Sequence, residues 1–320
     1  MKSKITFKFN EIFSRDIIRD VYSDMRVELL SSDPELDNIL TRIFSQHGKG
    51  IRPCFMTLVA KLVGGSWDSL RRAAMVIEAI HLSSLLHDDV VDGSELRRGV
   101  ATMNAQHSNK VSVLLGDHIF ISALKIASEL ENSEAINIIH KAVKRMIEGE
   151  IRDTLNNEII DENTYIRIIG DKTASLFAAS GELGIILSGT DGSERVWARE
   201  LGESLGTAFQ IIDDTLDYNG NREVMGKPKY MDVMSGNITL PLIYTLRKKT
   251  PCEIKKIFSE QEGSVGKISE IVRLNGGIEY AYKRARDYSE KARDILSRFD
   301  NKNTLSVFDS FFNALMGRCF

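Results

Sequence analysis

The chain has 320 residues, of which 42 % are hydrophobic and 27 % are charged, and its formal net charge is −3. This is the composition of a soluble globular protein, and the charge gives no general attraction to nucleic acid or anionic lipid. The three cysteines are scattered, the N-terminus lacks a signal-peptide pattern, and charged residues interrupt the longest apolar runs. We therefore expect a cytoplasmic protein without a transmembrane segment.

Apolar residues recur at helical spacing along almost the whole chain. Long helices are predicted over residues 71–91, 114–130, 136–156, 173–187 and 198–218, and no run is typical of a strand. The first of these helices is apolar nearly all round, which places it at the centre of the fold. We predict an all-α protein, a single domain over residues 1–320 with peripheral helices in about the last 70 residues. A separable C-terminal subdomain from about Pro251 is the alternative.

Two aspartate clusters share the pattern Asp-Asp-x-x-Asp, one over residues 88–92 and one over residues 213–217. Residues i and i+4 of a helix lie on one side, so Asp88 pairs with Asp92, and Asp213 or Asp214 pairs with Asp217. Buried carboxylates are costly unless cations neutralise them, and their oxygens suit Mg²⁺ that bridges to a diphosphate. One such cluster alone could be a solvated helix end. Two clusters in apolar helices predict a divalent-metal site between facing helices.

Basic residues accompany the first cluster. Arg97 and Arg98 follow it within two turns, and Lys49 and Arg52 lie in a Gly-rich segment at the start of a helix that contains Pro53. Guanidinium groups match phosphate oxygens well. Each basic pair taken alone is more often a solvated surface feature, and the segment 48–53 lacks the spacing of a Walker A motif.

Polar residues also share faces with the aspartates. His81 lies on nearly the same helix face as Asp88, and Gln210 lies one turn before Asp214. Lys172 and Thr173 are predicted to begin another helix. The ordinary alternatives are a core histidine, a buried amide with a local partner, and simple helix-start chemistry.

Taken together, the motifs resemble those of the trans-isoprenyl diphosphate synthases, the polyprenyl synthetase family, and within it the long-chain, octaprenyl-diphosphate-synthase-like branch. Over residues 48–246 the motifs are Gly-Lys-x-Ile-Arg-Pro, His-x-x-x-Leu-x-His-Asp-Asp-x-x-Asp with Arg-Arg-Gly, Gly-Asp, Lys-Thr, Gln-x-x-Asp-Asp-x-x-Asp, Gly-Lys-Pro and Thr-Leu-Pro. The resemblance implies antiparallel helices around a deep central cavity, usually in a homodimer. It also implies a reaction, in which isopentenyl diphosphate extends an allylic diphosphate such as farnesyl diphosphate and creates a trans double bond.

The resemblance also implies roles for individual residues. Asp88, Asp92, Asp213 and Asp217 would bind Mg²⁺, with about three ions present when diphosphate is bound. The other implied roles are charge stabilisation at the allylic diphosphate by Arg97 and Lys172, stabilisation of the carbocation by Thr173 and Gln210, and diphosphate binding by Lys49, Arg52, His81, Arg98 and Lys227.

Residues before the first cluster bear on product length. In the family, bulky aromatic residues about one helical turn before this motif close the cavity, whereas this chain has Ser83 and Ser84 there, preceded by Ala79 and Ile80. We therefore expect a long-chain product of roughly C30–C50, a range inferred from the family. Ile139 is a candidate for the floor of the channel. A farnesyl- or geranylgeranyl-type product is the alternative.

Three further alternatives are a class I terpene cyclase, a non-catalytic subunit of a heteromeric synthase, and a purely structural helical bundle. A cyclase normally carries a different second metal motif, and non-catalytic subunits typically lose aspartates, whereas all six are present here. One departure from the family pattern is Gly50, which occupies a position where a basic residue is frequent. This departure predicts slightly weaker binding of isopentenyl diphosphate.

Overall fold

Helices form nearly all of the computed structural model, which describes residues 15–97, 99–155, 160–219, 238–249 and 264–316. These ranges contain fourteen α-helices, one π-helical turn and one small hairpin, so the all-α prediction is confirmed. In chain order the elements are α1 (Arg15–Glu28), α2 (Pro34–Ser45), α3 (Ile51–Leu62), α4 (Trp67–Val91), β1 (Leu96–Arg97), β2 (Val100–Ala101), α5 (Met103–Gln106), α6 (Asn109–Ser128), α7 (Ser133–Leu155), α8 (Glu162–Ile169), the π-turn (Gly170–Ala174), α9 (Ser175–Ile186), α10 (Ser193–Asn219), α11 (Leu240–Leu246), α12 (Ser264–Leu274), α13 (Gly277–Leu296) and α14 (Lys302–Met316).

Helix α4 lies at the centre, as its sequence predicts. Residues 73–80 are all buried, and the helix contacts α6 as well as α1 and α3. The helix ends at Asp92, whose backbone N–H donates to the carbonyl of Asp88. The first aspartate cluster therefore lies at the end of a helix that packing holds firmly on several sides.

Helix α10 carries the second cluster and packs unusually closely on the segment around the π-turn. A Cβ atom added at Gly202 would lie 2.4 Å from the carbonyl oxygen of Phe177, and one added at Gly206 would lie 2.7 Å from the Cα of Ala174. These distances are far below van der Waals contact, so only glycine permits the approach. The glycines thus bring the second cluster close to the Lys172-Thr173 segment.

The structure corrects the sequence prediction in two places. Residues around Arg97 form an antiparallel hairpin in which Leu96 pairs with Ala101 and Arg97 pairs with Val100, although no strand was expected. Lys172 and Thr173 do not begin a helix, because they lie in the π-turn that joins α8 to α9 without a break. Both features are too short to show a periodic pattern in the sequence.

The C-terminal helices contribute to the core. Phe308, Phe311 and Phe312 of α14 are fully buried and belong to the same hydrophobic cluster as Phe55 of α3 and Phe177 of α9. The long helix α13 packs along α10. The division of the chain into domains stays a prediction.

Helix α6 is long and apolar enough to cross a membrane by length and composition alone, a test that a buried core helix also passes. In this structure Leu115, Ile119 and Ala123 pack in the same hydrophobic cluster as α4. The opposite side is unusual, since Leu114 and Ile121 are 56 % and 62 % exposed. The helix is therefore a core element with a second, uncovered apolar face.

Candidate active site

The three aspartates of the first cluster have different environments. Asp89 is buried and accepts a hydrogen bond of 2.7 Å from Nε of Arg97, while its carbonyl accepts bonds from the N–H of Ser94 and Nδ2 of Asn104. The middle aspartate thus anchors the hairpin and orients Arg97. Asp88 is half-buried and Asp92 is exposed, so these two carboxylates remain accessible. The assignment of Asp88 and Asp92 as metal ligands stays a prediction.

The Asp88 carboxyl has an unusually high proton affinity. Burial, together with the nearby carboxylates of Glu150 and Asp92, raises its pKa to about 7 against the opposing effects of Lys172 and Arg97. A carboxylate in such surroundings is poorly neutralised by the protein alone. It is therefore well suited to bind a cation.

The second cluster also has a buried, hydrogen-bonded middle aspartate. Asp214 is buried and accepts hydrogen bonds from the hydroxyl of Tyr165 at 2.6 Å and from Nε2 of Gln210 at 2.7 Å. Burial raises its pKa to about 7, although both hydrogen bonds favour the ionised form. Asp213 is exposed, and Asp217 is buried. The middle aspartate again has protein hydrogen-bond donors, but Asp217 is as deeply buried, so exposure does not divide this cluster as it divides the first. Asp213 and Asp217 stay the predicted ligands.

Lys172 lies between the two clusters. Its ammonium group is 2.7 Å from a carboxylate oxygen of Glu150 and 3.1 Å from one of Asp153, both on α7. Burial opposes the charge, but these carboxylates and Asp88 raise the pKa of Lys172 above its ordinary value. Lys172 in turn lowers the pKa of Asp88 and of Asp214. A fixed cation thus acts on both aspartate clusters.

Thr173 and Gln210 form a short polar chain beside Lys172. The hydroxyl of Thr173 donates to Oε1 of Gln210 at 2.8 Å, and the amide of Gln210 donates onward to Asp214. Since the hydroxyl donates to Gln210, its lone pairs remain available to face a positive charge. Tyr165 completes the chain from the other side of Asp214. The sequence did not single out Tyr165, Glu150 or Asp153.

Arg52 is the clearest candidate for a second phosphate-binding group. It is 9 % exposed, and within the described ranges its buried Nε has no hydrogen-bond partner. The guanidinium lies 4.8 Å from the centre of the Phe177 ring, and burial lowers the pKa of Arg52 to about 10 despite the opposing charge of Glu78. Buried donors normally have acceptors. An anionic ligand that supplies an acceptor fits this side chain, whereas Lys49 beside it is exposed.

The segment before Arg52 is held by α1 and α4. The N–H of Gly48 donates to the hydroxyl of Tyr22 at 2.7 Å, and that hydroxyl donates to buried Glu78 at 3.0 Å. Gly50 has a φ of +55°, and a Cβ there would lie 2.7 Å from Cγ1 of Ile18. The backbone therefore favours glycine at this position. His81 is half-buried one turn after Glu78 on α4.

The two serines before the first cluster differ in their surroundings. Ser83 is 2 % exposed and donates to the carbonyl oxygen of Gly116 on α6 at 2.9 Å. Ser84 is half-buried and donates to the carbonyl of His81 in its own helix. Ile80 and Ile139 are fully buried in one cluster between α4, α6 and α7. The structure thus places Ser83 at a helix contact and leaves Ser84 the more accessible of the two.

The described aspartates do not form a closed metal cage. Across the described ranges, no three His, Cys, Asp or Glu side chains converge closely enough to hold an ion by themselves. Two predicted diphosphate-binding residues, Arg98 and Lys227, lie outside the described residues.

Fold and site together define an all-α enzyme with two acidic motifs and flanking cations. The Polyprenyl synthetase family model matches residues 33–275. The chain is 37 % identical to the octaprenyl diphosphate synthase of Escherichia coli (strain K12), over 89 % of this chain and 90 % of that protein. It is 31 % identical to the heptaprenyl diphosphate synthase component 2 of Geobacillus stearothermophilus, over 89 % of this chain and 90 % of that one.

A solved structure agrees with these similarities. The polyprenyl synthase from Caulobacter crescentus CB15, complexed with calcium and isoprenyl diphosphate, has a TM-score of 0.87 and 29 % identity, over 96 % of this chain and 97 % of that one. The chain therefore belongs to the polyprenyl synthetase family. It is a prenyltransferase of the long-chain type, as the motifs predicted.

Proposed function

We propose that the two aspartate clusters and Lys172 bind the allylic diphosphate through Mg²⁺, and that Arg52 with its neighbours binds isopentenyl diphosphate. The first half of this proposal depends on the position of Lys172, whose charge acts on Asp88 and Asp214 alike. The second half depends on the unpartnered, buried Nε of Arg52. The proposed metal ligands are Asp88, Asp92, Asp213 and Asp217. With diphosphate bound we expect about three ions, which a metal-stoichiometry measurement would count.

The bound metal would act as a Lewis acid that stabilises the charge on the departing diphosphate. The protein's part is to present fixed cations there. Arg97 is held by Asp89, and Lys172 is held by Glu150 and Asp153, so neither cation needs to reorganise when the carbon–oxygen bond breaks. The electron pair of that bond leaves with the diphosphate and an allylic carbocation remains.

The carbocation would form close to the polar chain of Thr173 and Gln210, whose oxygens can stabilise positive charge. The double bond of isopentenyl diphosphate then supplies the electrons for the new carbon–carbon bond. A proton leaves the adjacent carbon, and the released diphosphate is the proposed acceptor. Lys49, His81 and Arg98 would complete the binding of the second diphosphate around Arg52.

Product length is the finer part of the proposal. We infer a product of roughly C30–C50 because small residues precede the first cluster and the chain belongs to a long-chain group. Of the two serines, Ser84 is the better candidate for the channel wall, since Ser83 is buried against α6. Ile139 remains the candidate for the floor.

The decisive experiment uses the purified chain with Mg²⁺, farnesyl diphosphate and labelled isopentenyl diphosphate, followed by sizing of the products. We expect long-chain polyprenyl diphosphates, and loss of product in the Asp213→Asn variant. An arm with farnesyl diphosphate alone tests for a cyclase, which would release a hydrocarbon or alcohol. No elongation with several primers would refute activity of the chain by itself and favour a subunit of a heteromeric synthase, as the name of the Geobacillus relative describes.

A homodimer is proposed from the uncovered face of α6. Leu114 and Ile121 lie seven residues apart on that helix, hence on nearly one face, and both are more than half exposed. Exposed apolar rows of this kind mark association surfaces. We expect Ile121→Asp to convert a dimer to monomers in sedimentation velocity, whereas Val27→Asp, at another exposed aliphatic position, should leave the dimer intact. A monomeric wild-type chain would refute the proposal.

The cytoplasm is the proposed compartment. The cysteines are scattered, and Cys54 is a buried free thiol whose pKa burial raises to about 12, which makes it unreactive. These features suit a reducing environment. Cell fractionation with an antibody to the chain should recover it in the cytosolic fraction, and recovery in a secreted fraction would contradict the assignment.

A further inference from the structure

Helix α7 forms ion pairs with two consecutive residues of the π-turn, one acidic and one basic. Asp171 accepts a hydrogen bond from Nε of Arg145 at 2.9 Å on one oxygen and from Nη1 of Arg152 at 2.8 Å on the other. The next residue, Lys172, is held by Glu150 and Asp153 of the same helix. Each residue of the pair is therefore fixed by two oppositely charged partners.

The backbone of the π-turn also lies directly against α7. A Cβ atom at Gly149 would be 2.8 Å from the backbone nitrogen of Lys172 and 2.9 Å from the Cβ of Asp171. Glycine thus permits a close approach within the stretch of α7, residues 145–153, that supplies all four charged partners. In addition, the hydroxyl of Ser175 donates to the carbonyl oxygen of Asp171 at 2.6 Å.

One of the two arginines that bind Asp171 also binds the helix of the second aspartate cluster. Arg145 donates to Glu203 of α10 at 2.9 Å as well as to Asp171. The Asp171 side chain is 17 % exposed, so its ion pairs are better shielded from water than ordinary surface pairs. The π-turn has one residue more than a regular α-helical turn would have, and such turns occur frequently at functional sites. The π-turn packs against both α7 and α10.

We propose that Asp171 is a positioning residue, which clamps the π-turn to α7 through Arg145 and Arg152 and thereby fixes the ammonium group of Lys172 between the two aspartate clusters. Asp171 does not touch substrate in this proposal. It acts only through Lys172, so the inference rests on the role proposed for Lys172 above.

The primary test is the Asp171→Asn variant, which keeps the size of the side chain and removes its charge. We expect kcat/KM for the allylic diphosphate to fall by about 10- to 100-fold, since a displacement of about 1 Å can cost as much as 100-fold. The KM for isopentenyl diphosphate should change by less than about threefold, a split that general loosening of the fold does not predict. Arg152→Gln removes one of the two clamping arginines and should give a smaller effect of the same kind, even if Asp171→Asn folds poorly.

The matched control is Asp24→Asn, which breaks the two-pronged Arg71–Asp24 pair between α1 and α4. It makes the same chemical change and loses a comparable ion pair without touching the π-turn. We expect this variant to lower Tm while leaving both KM values within about twofold of the wild type. A loss of activity in the control equal to that in Asp171→Asn would overturn the proposal.

A double-mutant cycle separates the clamp from the role of Lys172. In the Lys172→Ala background, Asp171→Asn should cost less than about threefold, because its target is already absent. A full additional loss in that background would overturn the proposal. If Lys172→Ala is slow but Asp171→Asn is as active as the wild type, the clamp is refuted and the role of Lys172 stands. If Lys172→Ala is itself fully active, the role proposed for Lys172 fails and the inference fails with it.

Discussion

The Asp88 carboxyl allows a test of the metal site that does not depend on turnover. Burial, together with Glu150 and Asp92, raises its pKa from 3.8 to about 7. The folded protein therefore holds this proton more tightly than the unfolded chain does. The resulting stabilisation is complete below about pH 4 and is lost as the pH rises through 7. Above pH 7 the metal-free protein contains a poorly solvated negative charge.

The size of this effect follows from the pKa. The difference between 3.8 and about 7 corresponds to about 4 kcal/mol, at roughly 1.4 kcal/mol for each tenfold change in proton affinity. Asp88 is only half-buried, so screening by water reduces this value to roughly 1–3 kcal/mol. Asn resembles the protonated carboxyl in shape. We therefore expect metal-free Asp88→Asn to exceed the wild type in stability by that amount at pH 8 and by almost nothing near pH 4.

The assay is thermal unfolding in the presence of a chelator at the two pH values. For a chain of this size we expect Tm to rise by roughly 2 °C for each kcal/mol. When Mg²⁺ and inorganic diphosphate replace the chelator at pH 8, the wild type should gain stability by binding and the variant should gain less. Asp92→Asn is the control, because Asp92 is exposed. It should lose the gain from Mg²⁺ and diphosphate, and in the chelator it should gain much less than Asp88→Asn, because Asp92 is only a minor cause of the raised pKa of Asp88.

Two results would refute this reasoning. A difference in Tm between Asp88→Asn and the wild type that is the same at pH 4 and pH 8 would show that burial does not raise the pKa of Asp88. An equal gain from Mg²⁺ and diphosphate in both proteins would show that Asp88 is not a metal ligand. The first result concerns the charge of the folded state, and the second concerns the site.

Three other substitutions test separate parts of the structure. Tyr165→Phe removes a hydrogen-bond donor to the buried Asp214 carboxylate. It should destabilise the protein by roughly 1–3 kcal/mol in urea unfolding at pH 8 and by less at pH 5. An equal loss of stability at the two pH values would count against this hydrogen bond. Helix propensity alone would make Gly206→Ala about 1 kcal/mol more stable, but the added Cβ would lie 2.7 Å from the Cα of Ala174. We therefore expect a net loss of stability of roughly 1–3 kcal/mol and slower turnover, and a stabilised, active variant would contradict the close packing. Ser84→Phe should shorten the products when they are sized by chromatography, and an unchanged product length would remove Ser84 from the channel wall.

Helical periodicity predicts which aspartates of each cluster share a helix face. The i, i+4 rule paired Asp88 with Asp92 and turned Asp89 to another side, where the structure shows it bound to Arg97. For the second cluster the rule left Asp213 and Asp214 open as partners of Asp217. Asp214 already accepts hydrogen bonds from Tyr165 and Gln210, which favours Asp213 as the ligand, and this assignment stays a prediction.

The partners of Lys172 were beyond the reach of the sequence. Glu150 and Asp153 lie on an amphipathic helix, in a chain with 45 acidic residues, and no local pattern distinguishes them from solvated charges. Only the packing of α7 against the π-turn brings them within 3.1 Å of the ammonium group. Gly149 was the available signal, since a glycine within a helix costs about 1 kcal/mol and needs a packing reason.

Charge pairing in the site explains why the two diphosphates would be bound differently. Arg97 and Lys172 both have protein carboxylates as partners, so the allylic diphosphate would meet cations that are already oriented. Arg52 is buried over an aromatic ring, and in the described part of the chain its Nε has no acceptor. Burial of an unsatisfied donor costs free energy, which an incoming anion offsets by supplying the acceptor. The second substrate would therefore contribute to the stability of its own site, whereas the first would bind at a site whose cations the protein has already fixed.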